Sequence, residues 1–375
     1  MLKYILTAFI SCLIASLCSG CAKSEWVEPF PDRLSITVTD SIGIETGDSC
    51  YVLGSIIDAE LLSSGSILLL DQSACCIREY SPEGTYIRIL SGRGSGPGKL
   101  LFPLEMAVQS DGRIIVEDIQ KRDLVILGPD GESLSELTNW ELFPPIAIVS
   151  ADTNLIAGCA IGYDMESLDL SLIFKPTLYL LDDTGSELEL FADTLIIPNV
   201  QDVPMTPTGM LGYSMMTSDY RNGRVFYSNM STEHYEVRCW DILGNPSFAF
   251  ELGIPPAAKT SDELLEETEY TRMQFAALGL NTLPEDFEPD PLHVLVVGLG
   301  VDEYGNLWIQ RGTEKKPVFD IVDAEGDHIG TAEFPRTGHH WKFSISPNGS
   351  LAWNLDPVSG FQKVYILDLP TVNRK

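Results

Sequence analysis

The stretch Asp111-Gly112-Arg113-Ile114-Ile115-Val116-Glu117-Asp118-Ile119-Gln120-Lys121-Arg122-Asp123-Leu124-Val125-Ile126-Leu127-Gly128-Pro129-Asp130-Gly131 decides the fold. Asp-Gly tolerates positive φ, so it marks a tight hairpin turn. An apolar run follows that turn, then a polar loop, a second apolar run, and a second turn at Gly131.

Outward from this stretch the pattern recurs. An apolar residue, a small or acidic one, two spacers and a glycine end Tyr80-Ser81-x-x-Gly84, Leu127-Gly128-x-x-Gly131, Leu181-Asp182-x-x-Gly185, Trp240-Asp241-x-x-Gly244 and Val322-Asp323-x-x-Gly326. The opening turns are Ser64-Gly65, Asp111-Gly112, Thr153-Asn154, Asn222-Gly223, Tyr304-Gly305 and Asn348-Gly349; the last leads to Val364–Leu367 and Asp368. After each turn comes a continuous apolar run, such as Ile67-Leu68-Leu69 or Leu307-Trp308-Ile309. A strand with one wet face would alternate, so these runs predict strands buried on both faces. Self-similarity at this period is the mark of a propeller or solenoid.

Each unit reads as four antiparallel strands, the number in a propeller blade. In the second unit they are Leu104 to Val108, Arg113 to Glu117, Asp123 to Leu127 and Ser133 to Leu137. The sixth unit lacks an outer strand, and Leu34 to Thr39, with Leu34, Ile36 and Val38 alternating, supplies a donor. The expectation is an all-β, six-bladed β-propeller over 33–369, closed by pairing this N-terminal strand with the last blade. The closing seam is expected between the first and last blades.

The segment Gly92-Arg93-Gly94-Ser95-Gly96-Pro97-Gly98, with Phe102-Pro103, Met106-Ala107-Val108, Asp111-Gly112-Arg113-Ile114-Ile115-Val116 and Asp118, resembles an NHL repeat. More broadly, Leu34 to Leu369 resembles the six-bladed β-propeller lipoproteins of bacteria, in the TolB-like superfamily. The third unit departs in lacking its first glycine, and the glycine-rich lead-in occurs once. The resemblance implies a binding module, or, for a minority of such families, a metal-assisted lyase or lactonase. Fold analogy does not choose between them.

Residues 1–20 read as a secretory signal: Lys3 is basic, Tyr4 to Leu17 is apolar but shorter than a membrane span, and Ser19-Gly20 precede Cys21. The site resembles a bacterial lipobox with Cys21 as the lipidated residue, although Cys18 stands where Leu is usual. Residues 21–32 would be the tether, and Ala22 points to an outer-membrane lipoprotein facing the periplasm or the exterior; an ordinary secreted protein is the alternative. With 54 acidic against 24 basic residues and a net charge of -30, phosphate backbones are poor partners and nucleic acid is set aside. The charge also favours solubility, a cation or a basic partner.

Five cysteines follow Cys21, and an oxidising compartment would permit a bridge between Cys50 and either Cys75 or Cys76. Thr260 through Glu263 has capping-box form and predicts a helical insertion over about 260–291. It would serve as a lid or partner-binding element, or as decoration on the rim. No H-E-x-x-H or G-x-S-x-G motif is present, and no catalytic residue is assigned. No cofactor is implied beyond a divalent cation that a carboxylate pair could hold. The sixth residues after the opening turns share one rim and offer Asp71, Asp118, Asn229 and Arg311 as ligand-binding candidates. His339, His340 and Trp341, before the sixth unit, complete the set. The resulting expectation is a monomeric, lipid-anchored, noncatalytic module for a protein, peptide or glycan. The alternative is a metal-dependent lactonase- or lyase-like propeller with its site at the central channel.

Overall fold

Six small antiparallel sheets follow one another along the chain and close into a ring, a β-propeller. The computed structural model describes residues 26–372 apart from 139, 141–142, 164–171, 182–186, 189–194, 198–213, 278–281, 284–286, 339 and 356–360. The signal segment, Cys21 and His339 therefore lie outside the described residues. The chain divides into two units, Met1–Pro31 and Asp32–Lys375. In the first, residues 26–31 carry no helix or strand; the second contains the whole ring.

A short β1 (Leu34–Ser35) and a longer β2 (Thr37–Ile42) precede the blades. Blade one is β3 (Ile56–Leu61), β4 (Ile67–Asp71), β5 (Cys76–Tyr80) and β6 (Tyr86–Ser91). Blade two is β7 (Pro103–Val108), β8 (Ile114–Asp118), β9 (Asp123–Leu127) and β10 (Ser133–Leu137). Blade three is β11 (Ile146–Asp152), β12 (Leu155–Tyr163) and β13 (Leu172–Leu180), with β14 (Glu187–Leu188) and β15 (Leu195–Ile197) both paired to β13. Blade four is β16 (Ser214–Asp219), β17 (Arg224–Asn229), β18 (Tyr235–Asp241) and β19 (Pro246–Leu252). After the helix α1 (Ser261–Ala277) comes blade five, β20 (Val296–Val301), β21 (Leu307–Arg311), β22 (Val318–Val322) and β23 (His328–Glu333). Blade six is β24 (Lys342–Ser346), β25 (Gly349–Leu355) and β26 (Gln362–Asp368), completed by β2.

The continuous apolar runs are the second and third strands of the blades. Every residue of β4, β8, β9, β21 and β22 is buried, because each strand is covered by the neighbouring blades on both faces. Apolar clusters fill the gaps between blades: Ile67, Leu69 and Trp353 between six and one, Leu68, Val116 and Val125 between one and two, and Ile115, Ile126 and Ile156 between two and three.

The repeated glycines close the hairpins. At Gly131 φ is +82°, and a Cβ there would meet the Leu90 carbonyl oxygen at 2.3 Å. Glycine is required at this position both by conformation and by the close approach of blade one. The acidic residue of the repeat caps the same turns. Asp323 accepts from the amides of Glu325 and Asp327, and Asp241 from those of Leu243 and Asn245.

An N-terminal strand completes the last blade as expected, but not over its expected length. The segment from Leu34 does not act as one strand but is divided at Ile36. β1 pairs parallel with β23 of blade five, whereas β2 pairs antiparallel with β26 of blade six. The reason is apolar: Ile36, 1% exposed, is inserted between the two sheets with Leu34 and Val38, in the cluster of Trp308, Phe319, Phe334 and Trp341. The seam bridged by the N-terminal strand thus lies between blades five and six, not between first and last.

Candidate functional site

The first strand of each blade faces the axis, and together β3, β7, β11, β16, β20 and β24 enclose a central channel holding a cavity of about 360 Å³. Its composition is uneven around the ring. Seven residues before the six opening turn residues stand Asp58, Glu105, Ala147, Met216, Gly298 and Lys342, and all six line the cavity. Blades six, one and two therefore contribute a charged arc, Lys342, Asp58 and Glu105, and blades three to five an uncharged one. Glu60 adds a third carboxylate from β3, and Trp353, 3% exposed, adds an indole from β25.

Bulges aim these side chains. The ladder slips between Ile56 and Asp58, between Pro103 and Glu105, and between Val296 and Gly298. An extra residue at a bulge redirects the side chain that follows it. Each acid also ties its blade to the next: Asp58 Oδ2 accepts from the Met106 amide at 2.8 Å, and Glu105 Oε2 from the Ile148 amide at 3.0 Å. Across the ladder from Glu105 stands Glu117, fully buried, with neither carboxyl oxygen hydrogen-bonded.

Removal from water dominates the titration of this arc. It pushes Asp58 up to about 6, against the lowering effects of the Met106 and Ala59 amides and of Lys342. Burial, then the charge of Asp58, pushes Glu105 up to about 7. Glu60 is held well above its ordinary value by burial and by Asp58, and Glu117 by burial and by Glu105. A carboxyl whose folded pKa is raised binds its proton more tightly folded than unfolded. Its contribution to stability is fully present below the unfolded value and is lost as pH rises through the folded one. The unfolding free energy is therefore expected to fall by roughly 5 kcal/mol as pH rises from about 4.5 to about 8, about 3 of it from Glu105. Denaturant melts of Glu105→Gln across that range should show a shallower decline; an unchanged slope would remove Glu105 from the account.

The residues singled out from sequence are distributed differently. Asp71 and Asp118 do end the second strands of adjacent blades, but both are fully buried and saturated by their own blades. Asp71 accepts from the amides of Gly54, Ser55 and Ala74, from Ser73 Oγ at 3.0 Å and from Arg78 at 3.1 Å. Asp118 accepts from the amides of Leu101, Phe102 and Lys121. Each pins the segment that leads into its own first strand. Arg311 is 2% exposed and forms a two-pronged ion pair with Asp320, Nε to Oδ2 at 2.8 Å and a terminal nitrogen to Oδ1 at 2.6 Å. Tyr235 of blade four donates to Asp320 Oδ2 at 2.5 Å, and His328 Nε2 lies 3.0 Å from Oδ1. Burial raises the Asp320 pKa, but Arg311 first and then His328 overcome it and hold the carboxyl below its ordinary value. Asn229 is exposed and accepts from the Tyr227 hydroxyl. Trp341 packs on Phe334 and Tyr365 and donates to the Thr337 carbonyl. These tryptophan and arginine side chains are interior, where sequence reading had them as recognition residues.

His340 is covered by the helical insertion, its ring stacked on Tyr270 of α1 at 3.6 Å with planes 6° apart. The insertion is tied at its base, where Lys259 donates to the Pro291 carbonyl and pairs with Glu267 at 2.6 Å. The capping box is present, with Thr260 N to Glu263 Oε2 at 2.7 Å and Glu263 N to Thr260 Oγ1 at 3.3 Å. Cys50, Cys75 and Cys76 are free thiols, so the expected bridge is not formed; Cys75 Sγ turns instead to the carbonyls of Gln72 and Leu101.

Among the described residues, no group of three or more His, Cys, Asp or Glu is arranged to hold a metal ion. Nor is any of their helices long and apolar enough to cross a membrane. No family model and no curated protein matches the chain. In fold it is similar to a DUF4221 family member from Bacteroides vulgatus, with a TM-score of 0.53 at 10% identity, covering 90% of this chain and 98% of that one. A Bacteroides fragilis protein inferred to be exported gives 0.48 at 13% identity, covering 92% and 98%. The WD40 repeats of RRP9 give 0.45 at 10%, covering 89% and 100%. Likeness at this identity is a likeness of fold alone.

Proposed function

We propose that the chain is an extracytoplasmic binding or scaffold module, an NHL-like propeller of the TolB-like kind, carried on a lipid at Cys21 and acting without catalysis. The observation that carries the binding reading is the channel: a preformed cavity lined by all six blades, with a few charged groups on one arc of an otherwise rigid wall. Sites of this size with convergent polar groups are the usual places where ligands bind. The anchor rests on the apolar Tyr4–Leu17 segment and the small residues before Cys21. The ligand would be a protein, peptide or glycan met at a face of a monomeric ring, in the periplasm or outside the outer membrane.

The test is crosslinking and pulldown of the full-length lipidated protein from its own envelope, alongside metabolic labelling with an alkyne fatty acid. Label on the wild type but not on Cys21→Ala, with a specific crosslinked partner, is the expected result. Purified protein carrying a stoichiometric metal ion and turning over lactones would overturn the noncatalytic reading.

A further inference from the structure

We propose that the channel takes a small organic cation, a protonated amine on a partly apolar body, seated against Asp58, Glu60 and Glu105 with its apolar side toward Ala147 and Met216. This rests on reading the ring as a binding module and gives its channel a small ligand in addition to the macromolecule met at a face.

Geometry argues for it in three ways. First, the carboxylates occupy one arc of the cavity and the uncharged residues the other, so the wall is itself amphipathic. Second, two buried polar groups have no hydrogen-bond partner among the described residues: the Trp353 indole nitrogen, on a residue of the lining, and the Glu117 carboxyl, opposite Glu105 in the ladder and behind the lining. At the place equivalent to Glu117 in blade five, Gln310 pairs with Gly298 and lines the cavity. A buried donor or acceptor left unmade is costly; the indole N–H needs an acceptor, so it favours a ligand whose body carries an oxygen besides its ammonium, as tyramine does. Third, among the described residues no set of three His, Cys, Asp or Glu side chains converges as a metal ion requires. Carboxylates spread along a wall fit an extended ammonium ion better than a bare divalent ion.

The charged groups that face this arc are Asp58 and Glu60 on β3, Glu105 on β7, Glu117 on β8 and Lys342 on β24. Lys342 is the cation already present, exposed and within electrostatic reach of Asp58 and Glu105. An arriving amine adds positive charge beside acids that hold protons near neutrality, so binding should expel protons to solvent.

Calorimetry of the folded mature domain with hexylamine, tyramine and spermidine tests this, run at pH 7 in buffers of different ionisation enthalpy. The expected result is saturable binding of at least one amine, with release of at least about half a proton per ligand, since Glu105 titrates at about 7 and burial holds the Glu60 carboxyl protonated as well. N-acetyltyramine, which keeps the body and loses the charge, should bind roughly tenfold or more weakly, as should tyramine to Glu105→Gln. Lys342→Met, which removes the competing cation and leaves the carboxylates in place, should tighten binding severalfold. Absence of binding by all three amines, equal affinity for N-acetyltyramine, or stoichiometric displacement by calcium would each overturn the proposal. If the amines fail while the envelope pulldown still yields a partner, this inference falls and the binding-module reading stands.

Discussion

Replacing Asp320 with alanine is expected to lower the unfolding free energy by about 3–5 kcal/mol, because it leaves the Arg311 guanidinium buried without its carboxylate. The same change strands the Tyr235 hydroxyl, which donates to Asp320 across the gap between blades four and five. Chemical denaturation of the mature domain measures this directly. The double variant Asp320→Leu with Arg311→Met removes both charges and should recover most of the loss, since an apolar pair of similar volume often replaces a buried ion pair without cost. Recovery would show that the single variant's defect comes from an unpaired charge. A single variant within 1 kcal/mol of wild type would mean that water reaches Arg311, contrary to its 2% exposure.

Asp71→Ala is expected to be comparably severe, at about 3–5 kcal/mol, for a different reason. One carboxylate there serves three backbone amides, a serine hydroxyl and Arg78. Its loss frees Gly54 and Ser55, the residues that aim β3 into the ring, so the damage should spread to the channel wall. Asp71→Asn keeps the shape but presents an amide nitrogen to some of these donors, and should recover less than half of the loss. Hydrogen exchange provides the second readout: protection should fall first in 54–61. A uniform loss of protection over all blades would contradict the local pinning described above.

Turn chemistry made the architecture legible. Each opening pair, and each closing glycine among the described residues, lies at a hairpin, Gly185 being outside them, and β9 and β10 have the bounds expected from Asp123 to Leu127 and Ser133 to Leu137. The closing strand was legible as a donor but not in its division, because Leu34, Ile36 and Val38 alternate alike whether they serve one sheet or two. The channel acids were within reach of the same repeat, since Asp58, Glu105 and Lys342 fall seven places before their opening glycines. What hid them was the bulge that precedes Asp58 and Glu105, which shifts the alternation and has no residue signature of its own. Arg311 was read as a recognition residue because nothing in its neighbourhood betrays its partners. Asp320 is on the next strand, and Tyr235 comes from another blade.

The pairing of β2 with β26 also sets a timetable. Thr39 bonds to the carbonyl of Ile366, 327 positions later. A chain is synthesised N-terminus first, so β2 must remain without its mate until almost the last residue has been added. Contacts of such long sequence separation form late, and an unmated edge is open to wrong partners in the interval. Maturation of this ring thus depends on whatever shields Thr37–Ile42 while the other blades are still arriving. A ribosome that stops short of Gln362 delivers a nearly complete propeller with no clasp.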